Sequence, residues 1–265
     1  MKKILLLGSS GLVGKAIIEA LGANYLVVPA AGHHIPEGGY CLPIEDTGLL
    51  LKTLERENPD IVISSLRGNF EAQMNFHREL GNWLKGKDKK LIFISTANVF
   101  DGDLSRPHTE ADTPVPESEY GIFKRDCENM LFDLLGDSLT VFRPASVWDE
   151  NCPRILSLKK DALSKTPHPT YSGDSVNITY AKQIGAYLKY VLENNLHGIF
   201  HIGTTDTVDY FEFEKAVCNA IKINPPGFAV TKAEPQTYQA VLPNRKEIPD
   251  SLQMTVNEVL KVLTL

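Results

Sequence analysis

Tyr120 and Lys124 stand four residues apart in the segment YGIFK, at the predicted start of a helix. Side chains at positions i and i+4 are neighbours on one helix face. A tyrosine hydroxyl has an ordinary pKa of about 10, so it exchanges protons poorly near neutral pH unless a nearby cation favours the phenolate. The pair is therefore either a proton donor with its electrostatic partner or a Tyr–Lys pair on an exposed helix face.

The apolar pattern of the same helix favours an inward orientation of this pair. Residues 119–135 contain one continuous apolar stripe, formed by Tyr120, Phe123, Cys127, Met130, Leu131 and Leu134. Ser95 and Thr96 end a predicted strand, and ligands of a doubly wound sheet bind at the carboxyl ends of its strands. We therefore expect Thr96, Tyr120 and Lys124 to meet in one crevice, with Ser95 beside them.

A glycine-rich turn stands between the first predicted strand and the first predicted helix. The segment GSSGLVG contains Gly8, Gly11 and Gly14, with Ser10 and Leu12 between them. Glycines let the backbone approach a pyrophosphate closely, and the amino end of a helix offers free N–H groups. In this context the turn predicts a dinucleotide-binding site, with a tight turn that binds no ligand as the alternative.

Short apolar runs alternate with amphipathic stretches through the first half of the chain. The predicted strands are 3–8, 25–30, 60–66, 90–96, 139–145 and 198–203, and the predicted helices are 11–21, 47–59, 69–86, 119–136, 179–194, 209–222 and 255–263. Strands that alternate with helices and are nearly all apolar indicate a parallel sheet covered on both faces. The fold class is therefore α/β, a doubly wound parallel sheet (Rossmann) with a small carboxyl-terminal substrate-binding cap.

The domain organisation follows from where this alternation is lost. After residue 145 the sequence becomes rich in Pro, Ser and charged residues, before a helix and a strand return. We predict a dinucleotide-binding domain formed by residues 1–145 with 175–203. Residues 146–174 with 204–265 are predicted to form the smaller substrate-binding cap.

Composition excludes several classes of protein. Of the 265 residues, 43% are hydrophobic and 23% are charged, and the formal net charge of -6 includes no basic tail, which argues against a nucleic-acid partner. No apolar run is long enough to span a membrane. The four cysteines are scattered and show no metal-ligand spacing, so we expect reduced thiols, no metal site and a cytoplasmic protein.

The end of the second predicted strand bears on the choice of cofactor. This segment reads VVPAAGHH and has no Asp or Glu, the residue type that binds the adenosine ribose 2′-hydroxyl of NAD. NADP is therefore slightly favoured over NAD. The cations that could meet a 2′-phosphate are Lys15, His33, His34 and Arg67.

Together these segments resemble a known family, the extended short-chain dehydrogenases/reductases, and within it the dTDP-4-dehydrorhamnose reductases. The matching segments include GSSGLVG, PDIVI, ISTANVFDG, TEADTPVPESEYGIFKRDCE, VFRPASVW, NITYA and GIFHIG. The resemblance extends along nearly the whole chain and is most specific from Ser95 to Glu128.

The resemblance implies a role for each residue of the crevice. Lys124 would bind the nicotinamide ribose and its charge would lower the pKa of Tyr120. Tyr120 would donate a proton to a sugar keto oxygen as the hydride arrives, and Thr96 would hydrogen-bond the same oxygen. The substrate would be a keto nucleotide sugar, with Asn98, Arg143 and Trp148 as candidate contacts. A homodimer through helices 69–86 and 119–135 is also compatible with the resemblance.

Three segments depart from the family pattern. Ser64, Ser65 and Leu66, which we expect beside the cofactor, stand with Arg67 where the family commonly has Asn-Ala-Ala. Pro43 replaces an Asp near the adenine, and Pro144–Ser146 replaces Thr-Ser-Trp. Arg143 either faces the phosphates of the sugar nucleotide or ties the strand end to the cap.

Two other functions share this fold. One is a non-catalytic, NADP-binding regulatory subunit of a partner enzyme, and the other is a nucleotide-sugar epimerase. The altered adenosine side mildly favours the regulatory subunit or an unusual substrate. The presence of Thr96, Tyr120 and Lys124 in the family's order favours the reductase.

Overall fold

The computed structural model describes residues 1–264. Within this range the strands are β1 (Lys3–Leu7), β2 (Leu26–Ala31), β3 (Tyr40–Cys41), β4 (Ile61–Ser64), β5 (Lys90–Ile94), β6 (Leu139–Pro144), β7 (Ser146–Trp148), β8 (His168–Val176), β9 (Ile178–Tyr180), β10 (Gly198–Ile202), β11 (Val208–Asp209) and β12 (Phe228–Gln239). The α-helices are α1 (Leu12–Leu21), α2 (Thr47–Glu57), α3 (Phe70–Leu84), α4 (Glu119–Leu135), α5 (Pro153–Ser164), α6 (Ala181–Glu193), α7 (Tyr210–Ala220) and α8 (Val256–Val262). Every helix in residues 1–264 is too short or too polar to cross a lipid bilayer.

The central sheet has seven strands in the order β3-β2-β1-β4-β5-β6-β10. All neighbouring pairs are parallel, as in the register Leu5↔Val62 between β1 and β4. The chain runs outward from β1 to β3 and then continues on the other side of β1, so its direction reverses between β1 and β4. This confirms the predicted doubly wound sheet, and the reversal is the point where such sheets bind ligands.

Alternate residues of the strands supply two hydrophobic layers, because successive side chains of a strand face opposite sides of the sheet. Leu5 packs with Leu80 in a cluster that also includes residues of α2 and α4. Ile4 packs on the other face with Ile17 of α1 and Ile184 of α6. All these side chains are fully buried. The layers fix the ends of the central strands relative to the helices that follow them.

Most of the elements after β6 share a third buried cluster. Trp148 is fully buried there, and its ring centroid lies 5.0 Å from that of Phe213 in α7. Strands β11, β8 and β12 form a three-stranded sheet, and β7 pairs with β9. In contrast, α6 and β10 pack with the central sheet. We refer to the segments on either side of these two elements, residues 146–180 and 203–264, as the cap.

Several elements were not predicted from the sequence, namely the two-residue edge strand β3 of the central sheet and the cap elements β7, β8, β9, β11, β12 and α5. Helix α5 buries only Ile155 and Leu158, so its apolar pattern is sparse. Strand β12 is an edge strand with mostly exposed residues, and its Pro235 is tolerated there because an edge strand need not donate every hydrogen bond. Two predicted strands are also shorter than expected: β4 ends at Ser64 and β5 at Ile94.

Two histidines of the core are fully buried. The Nδ1 atom of His77 lies 2.7 Å from a backbone carbonyl oxygen one turn earlier, so Nδ1 donates, and Nε2 accepts from the Ser64 hydroxyl at 2.8 Å. Burial lowers the pKa of His77 to about 3, and the Lys124 charge acts in the same direction. Burial also lowers the pKa of His201 to about 3, with a further contribution from Arg143.

We expect these histidines to make the protein less stable as the pH falls from about 6.5 toward about 3. The unfolded chain protonates each imidazole near the upper value, whereas the native chain does so only near the lower value. Each histidine then contributes about 1.4 kcal/mol per pH unit to the free energy of unfolding. His77→Gln and His201→Gln should each reduce the pH dependence of the free energy of unfolding by about 1.4 kcal/mol per pH unit.

Urea unfolding at a series of pH values between about 3 and about 6.5 measures how the free energy of unfolding depends on pH. The surface variant His197→Gln controls for the replacement of an imidazole. An unchanged slope in both core variants would show that the buried histidines do not control acid stability.

Candidate active site

A cleft of about 1190 Å³ lies at the carboxyl ends of the central strands, between the sheet and the cap. The amino ends of α1, α4 and α5 also reach it, and Tyr171, Asp174 and Tyr238 of the cap line its far wall. It brings together most of the residues predicted from the sequence, namely Gly8, Ser10, Gly11, Leu12, Gly14, Ser65, Leu66, Ser95, Thr96, Asn98, Tyr120 and Lys124.

The glycine-rich turn has a geometry that only glycines allow. Gly8 has φ of 81°, a left-handed conformation that residues with a Cβ rarely adopt. A Cβ on Gly14 would lie 2.3 Å from the Gly8 carbonyl oxygen, so α1 can begin this close to the turn only with glycine there. No side chain caps the amino end of α1, and its first turn contains no acidic residue. This donor set fits a diphosphate, because helix N–H groups and the helix dipole favour an anion.

The loop after β4 packs directly beside this turn. The Ser65 hydroxyl donates to the Leu7 carbonyl oxygen at 3.0 Å, and a Cβ on Gly8 would lie 2.6 Å from the Ser65 carbonyl oxygen. Ser65 and Leu66 line the cleft as predicted, but Ser64 does not. Ser64 is fully buried beneath the cleft with its hydroxyl bonded to His77, which corrects its assignment to the cofactor site.

Thr96 follows β5 in an extended conformation at the cleft wall. Its hydroxyl donates to the Asn98 side-chain oxygen at 3.0 Å and accepts from the Asn98 backbone N–H at 3.2 Å. Asn98 therefore orients the Thr96 hydroxyl. Ser95 points the other way, since its hydroxyl donates to the buried Glu128 carboxylate.

The amino end of α4 is held by close packing and by hydrogen bonds. A Cβ on Gly121 would lie 2.3 Å from the Asn98 carbonyl oxygen, so glycine is required for this approach. The Ser118 side chain caps the helix by accepting from the Gly121 N–H at 3.0 Å. Asp101 accepts from the backbone N–H groups of Glu117 and Ser118 at 2.6 and 3.2 Å. These contacts fix the backbone next to Tyr120.

Tyr120 and Lys124 differ in exposure. Tyr120 is 36% exposed and faces the cleft, whereas Lys124 is 3% exposed and its Nζ donates to the Ile94 carbonyl oxygen at 3.0 Å. Burial, with a smaller contribution from the Arg67 charge, lowers the pKa of Lys124 to about 8. At neutral pH Lys124 is therefore still largely a buried cation.

The electrostatics of Tyr120 differ from the sequence-based expectation. Burial raises the pKa of Tyr120 above its ordinary value, while hydrogen bonding by Thr96 and the charge of Arg67 lower it. The charge that opposes the rise thus belongs to Arg67. The expectation that Lys124 lowers this pKa is corrected, because the Lys124 ammonium is directed to the carbonyl at the end of β5.

Two candidate substrate contacts lie outside the cleft. Arg143 is 1% exposed and pairs with the equally buried Glu128, with Nη2 at 2.6 Å from Oε2 and Nε at 3.2 Å from Oε1. It ties β6 to α4 and does not line the cleft. Trp148 packs in the cap core, so its assignment to the sugar pocket is corrected as well.

Three of the four cations that could meet a cofactor 2′-phosphate line the cleft, namely Lys15, His33 and Arg67, whereas His34 does not. Pro43, Ile44 and Glu45 line it as well. No group of three or more His, Cys, Asp or Glu in the described range 1–264 is arranged to hold a metal ion.

Sequence reasoning missed Glu128 and Asp101, which position α4. A signal for Glu128 was available, because it stands one helical turn beyond Lys124 and so belongs to the same inward face. Asp101 gave no such signal, since its partners are backbone N–H groups sixteen and seventeen positions away.

The fold and the cleft define the class of the protein. A doubly wound sheet with a glycine-rich turn after β1 and a Tyr-x-x-x-Lys pair at its strand ends is the arrangement of the extended short-chain dehydrogenases/reductases. Residues 1–263 match the family model described as RmlD substrate binding domain, and the chain belongs to this family. The resemblance stated from the sequence is confirmed.

Three individual proteins that the chain resembles have sequence identities to it of 23%, 18% and 13%. The dTDP-4-keto-6-deoxy-D-glucose reductase of Streptomyces niveus is 23% identical over 244 residues, which cover 83% of this chain and 79% of that protein. The dTDP-4-dehydrorhamnose reductase of Bacillus anthracis, solved in complex with NADP, has a TM-score of 0.82 and 18% identity over 98% of this chain and 96% of its own. The dTDP-glucose 4,6-dehydratase of the same organism, solved with NAD, has a TM-score of 0.78 and 13% identity over 100% and 96% of the two chains.

We expect Arg143→Met to destabilise the protein by about 3–5 kcal/mol, because it leaves the Glu128 carboxylate buried without its charged partner. The double variant Arg143→Met/Glu128→Leu should recover most of this loss, since both charges are then absent. Urea unfolding near neutral pH measures the free energy of unfolding of the single and double variants. A double variant that is less stable than either single variant would contradict the ion-pair account.

Proposed function

We propose that the protein is an NAD(P)-dependent reductase that acts on the keto group of a nucleotide sugar of the dTDP-4-keto-6-deoxyhexose type. The observation on which the proposal depends is that Thr96, Tyr120 and Lys124 line one cleft with the glycine-rich turn. Family membership supports it, as do the reductase activities for which the Streptomyces niveus and Bacillus anthracis relatives are named.

The glycine-rich turn and the amino end of α1 would hold the diphosphate of the nicotinamide dinucleotide. Ser65 and Leu66 would lie beside it, and Lys124 would hydrogen-bond the nicotinamide ribose. When bound, the cofactor supplies the hydride that adds to the carbonyl carbon. NADP is favoured because β2 ends in Ala31 and is followed by Gly32 and His33, where a carboxylate would select NAD.

Tyr120 would donate the proton to the carbonyl oxygen, with the Thr96 hydroxyl hydrogen-bonded to the same oxygen. The raised pKa of Tyr120 suits this direction of reaction, because a general acid must hold its proton until negative charge develops on the substrate. The charge of Arg67 and the hydrogen bond from Thr96 then stabilise the phenolate that forms. Ionised tyrosine would be needed for the reverse oxidation, and burial disfavours it.

The cap wall of the cleft would bind the nucleoside part of the substrate. Tyr171, Tyr210 and Tyr238 line this wall, and tyrosine rings stack well against flat bases. Asn98 lies nearer to the reacting groups, because it orients the Thr96 hydroxyl. We therefore expect it to lie next to the keto oxygen of the bound substrate.

We expect Tyr120→Phe to lower kcat by about 10²- to 10⁴-fold, because the variant lacks the hydroxyl that donates the proton. The Kd for NADPH should stay unchanged, since the ring remains and the phosphate site is untouched. The measurement is NADPH oxidation with a panel of 4-keto nucleotide sugars, together with an NADPH titration.

Tyr190→Phe, which removes a hydroxyl outside the cleft, is the matched control. Unchanged turnover in Tyr120→Phe would rule out the proton-donor role. Tight NADPH binding by the unmodified protein without turnover of any sugar in the panel would contradict the reductase and favour a non-catalytic NADP-binding protein.

A further inference from the structure

Arg67 extends from a fixed backbone into the cleft. It stands in the loop between β4 and α3, and both neighbouring segments are held. On one side the Ser65 N–H donates to the Leu7 carbonyl oxygen at 3.0 Å. On the other side the Gln73 side chain donates to the Gly68 carbonyl oxygen at 2.9 Å. The Arg67 side chain is exposed and lines the cleft.

Two of the other three cations of the cleft bond to the protein, whereas Lys15, like Arg67, does not within the described residues. Lysine and arginine side chains that line it are Lys15, Arg67, Lys124 and Arg154. Lys124 and Arg154 each donate to a backbone carbonyl oxygen, at 3.0 and 3.1 Å. Arg67 forms neither an ion pair nor a side-chain hydrogen bond with any residue of the described range. Its donors are therefore available to a ligand.

Arg67 also lies at the catalytic end of the cleft. Phe70, three residues further along, has its ring centroid 5.9 Å from that of Tyr120. The Arg67 charge lowers the pKa of both Tyr120 and Lys124, whereas Lys15 is not among the charges that act on either group. The Arg67 guanidinium therefore shares the cleft with the two residues that would handle the proton.

We propose that Arg67 binds a phosphate group of a ligand next to Tyr120 and Lys124. A guanidinium presents parallel N–H donors whose spacing matches two phosphate oxygens. The inference rests on the proposed function, in which the nicotinamide dinucleotide and the nucleotide sugar each contain a diphosphate. Either ligand can supply the phosphate, and direct binding measurements separate the two sources.

The test compares Arg67→Ala and Arg67→Lys with the unmodified protein. The Kd for NADPH is measured by fluorescence titration, and the Kd for dTDP by calorimetry at saturating NADP. We expect Arg67→Ala to raise one of these constants about 10- to 100-fold, since a hydrogen-bonded charge contact is lost. Arg67→Lys should restore binding only in part, because an ammonium retains the charge without the paired donors. Arg78→Ala, an exposed arginine of α3 outside the cleft, is the matched control.

The two binding measurements show which ligand supplies the phosphate. A rise confined to NADPH assigns the phosphate to the cofactor, and a rise confined to dTDP assigns it to the nucleotide sugar. Unchanged constants for both ligands, or equal losses in Arg67→Ala and Arg78→Ala, would overturn the proposal. Neither titration requires turnover, so a failure of the proposed reductase activity would appear separately, as absent NADPH oxidation.

Discussion

The packing of α4 against the ends of β5 and β6 is the constraint on which the site depends. At its amino end, Gly121 approaches a backbone carbonyl so closely that a Cβ could not be accommodated. Two turns further on, Glu128 is bound by the buried Arg143 of β6. Tyr120 and Lys124 lie in the segment that these contacts hold. Their side chains are therefore placed over the cleft by packing and by a buried ion pair before any ligand binds.

The same packing sets the electrostatics of the site. It buries Lys124 against the Phe93 ring, with Nζ 4.5 Å from the ring centroid, and burial disfavours its charged form. Glu128, one turn away, opposes this effect, and the neutral His77 behind the strand adds no second positive charge. Arg67 is exposed and lines the same cleft. The site thus has a buried cation bonded to the protein and an exposed cation available to a ligand.

Periodicity was sufficient for the inner strands of the central sheet, because β1, β4, β5 and β6 are almost wholly buried and read as continuous apolar runs. It did not predict the two-residue β3 at the sheet edge. It failed for α5 and β12, whose few buried residues leave a weak pattern. The glycine-rich turn and the Tyr–Lys pair were found because their spacing is local. Arg143 was misplaced because its partner Glu128 lies fifteen residues away, and the sequence does not show which side of a strand end a charged side chain faces.

We expect the packing of α4 to place Tyr120 and Lys124 where a nicotinamide ring binds, and a crystal structure with NADP and dTDP bound would test this placement. The diphosphate of NADP should lie at the glycine-rich turn, with the nicotinamide ribose hydrogen-bonded to Lys124 and the nicotinamide ring beside the Tyr120 hydroxyl. A dinucleotide bound elsewhere, or one whose nicotinamide ring lies away from Tyr120, would contradict it.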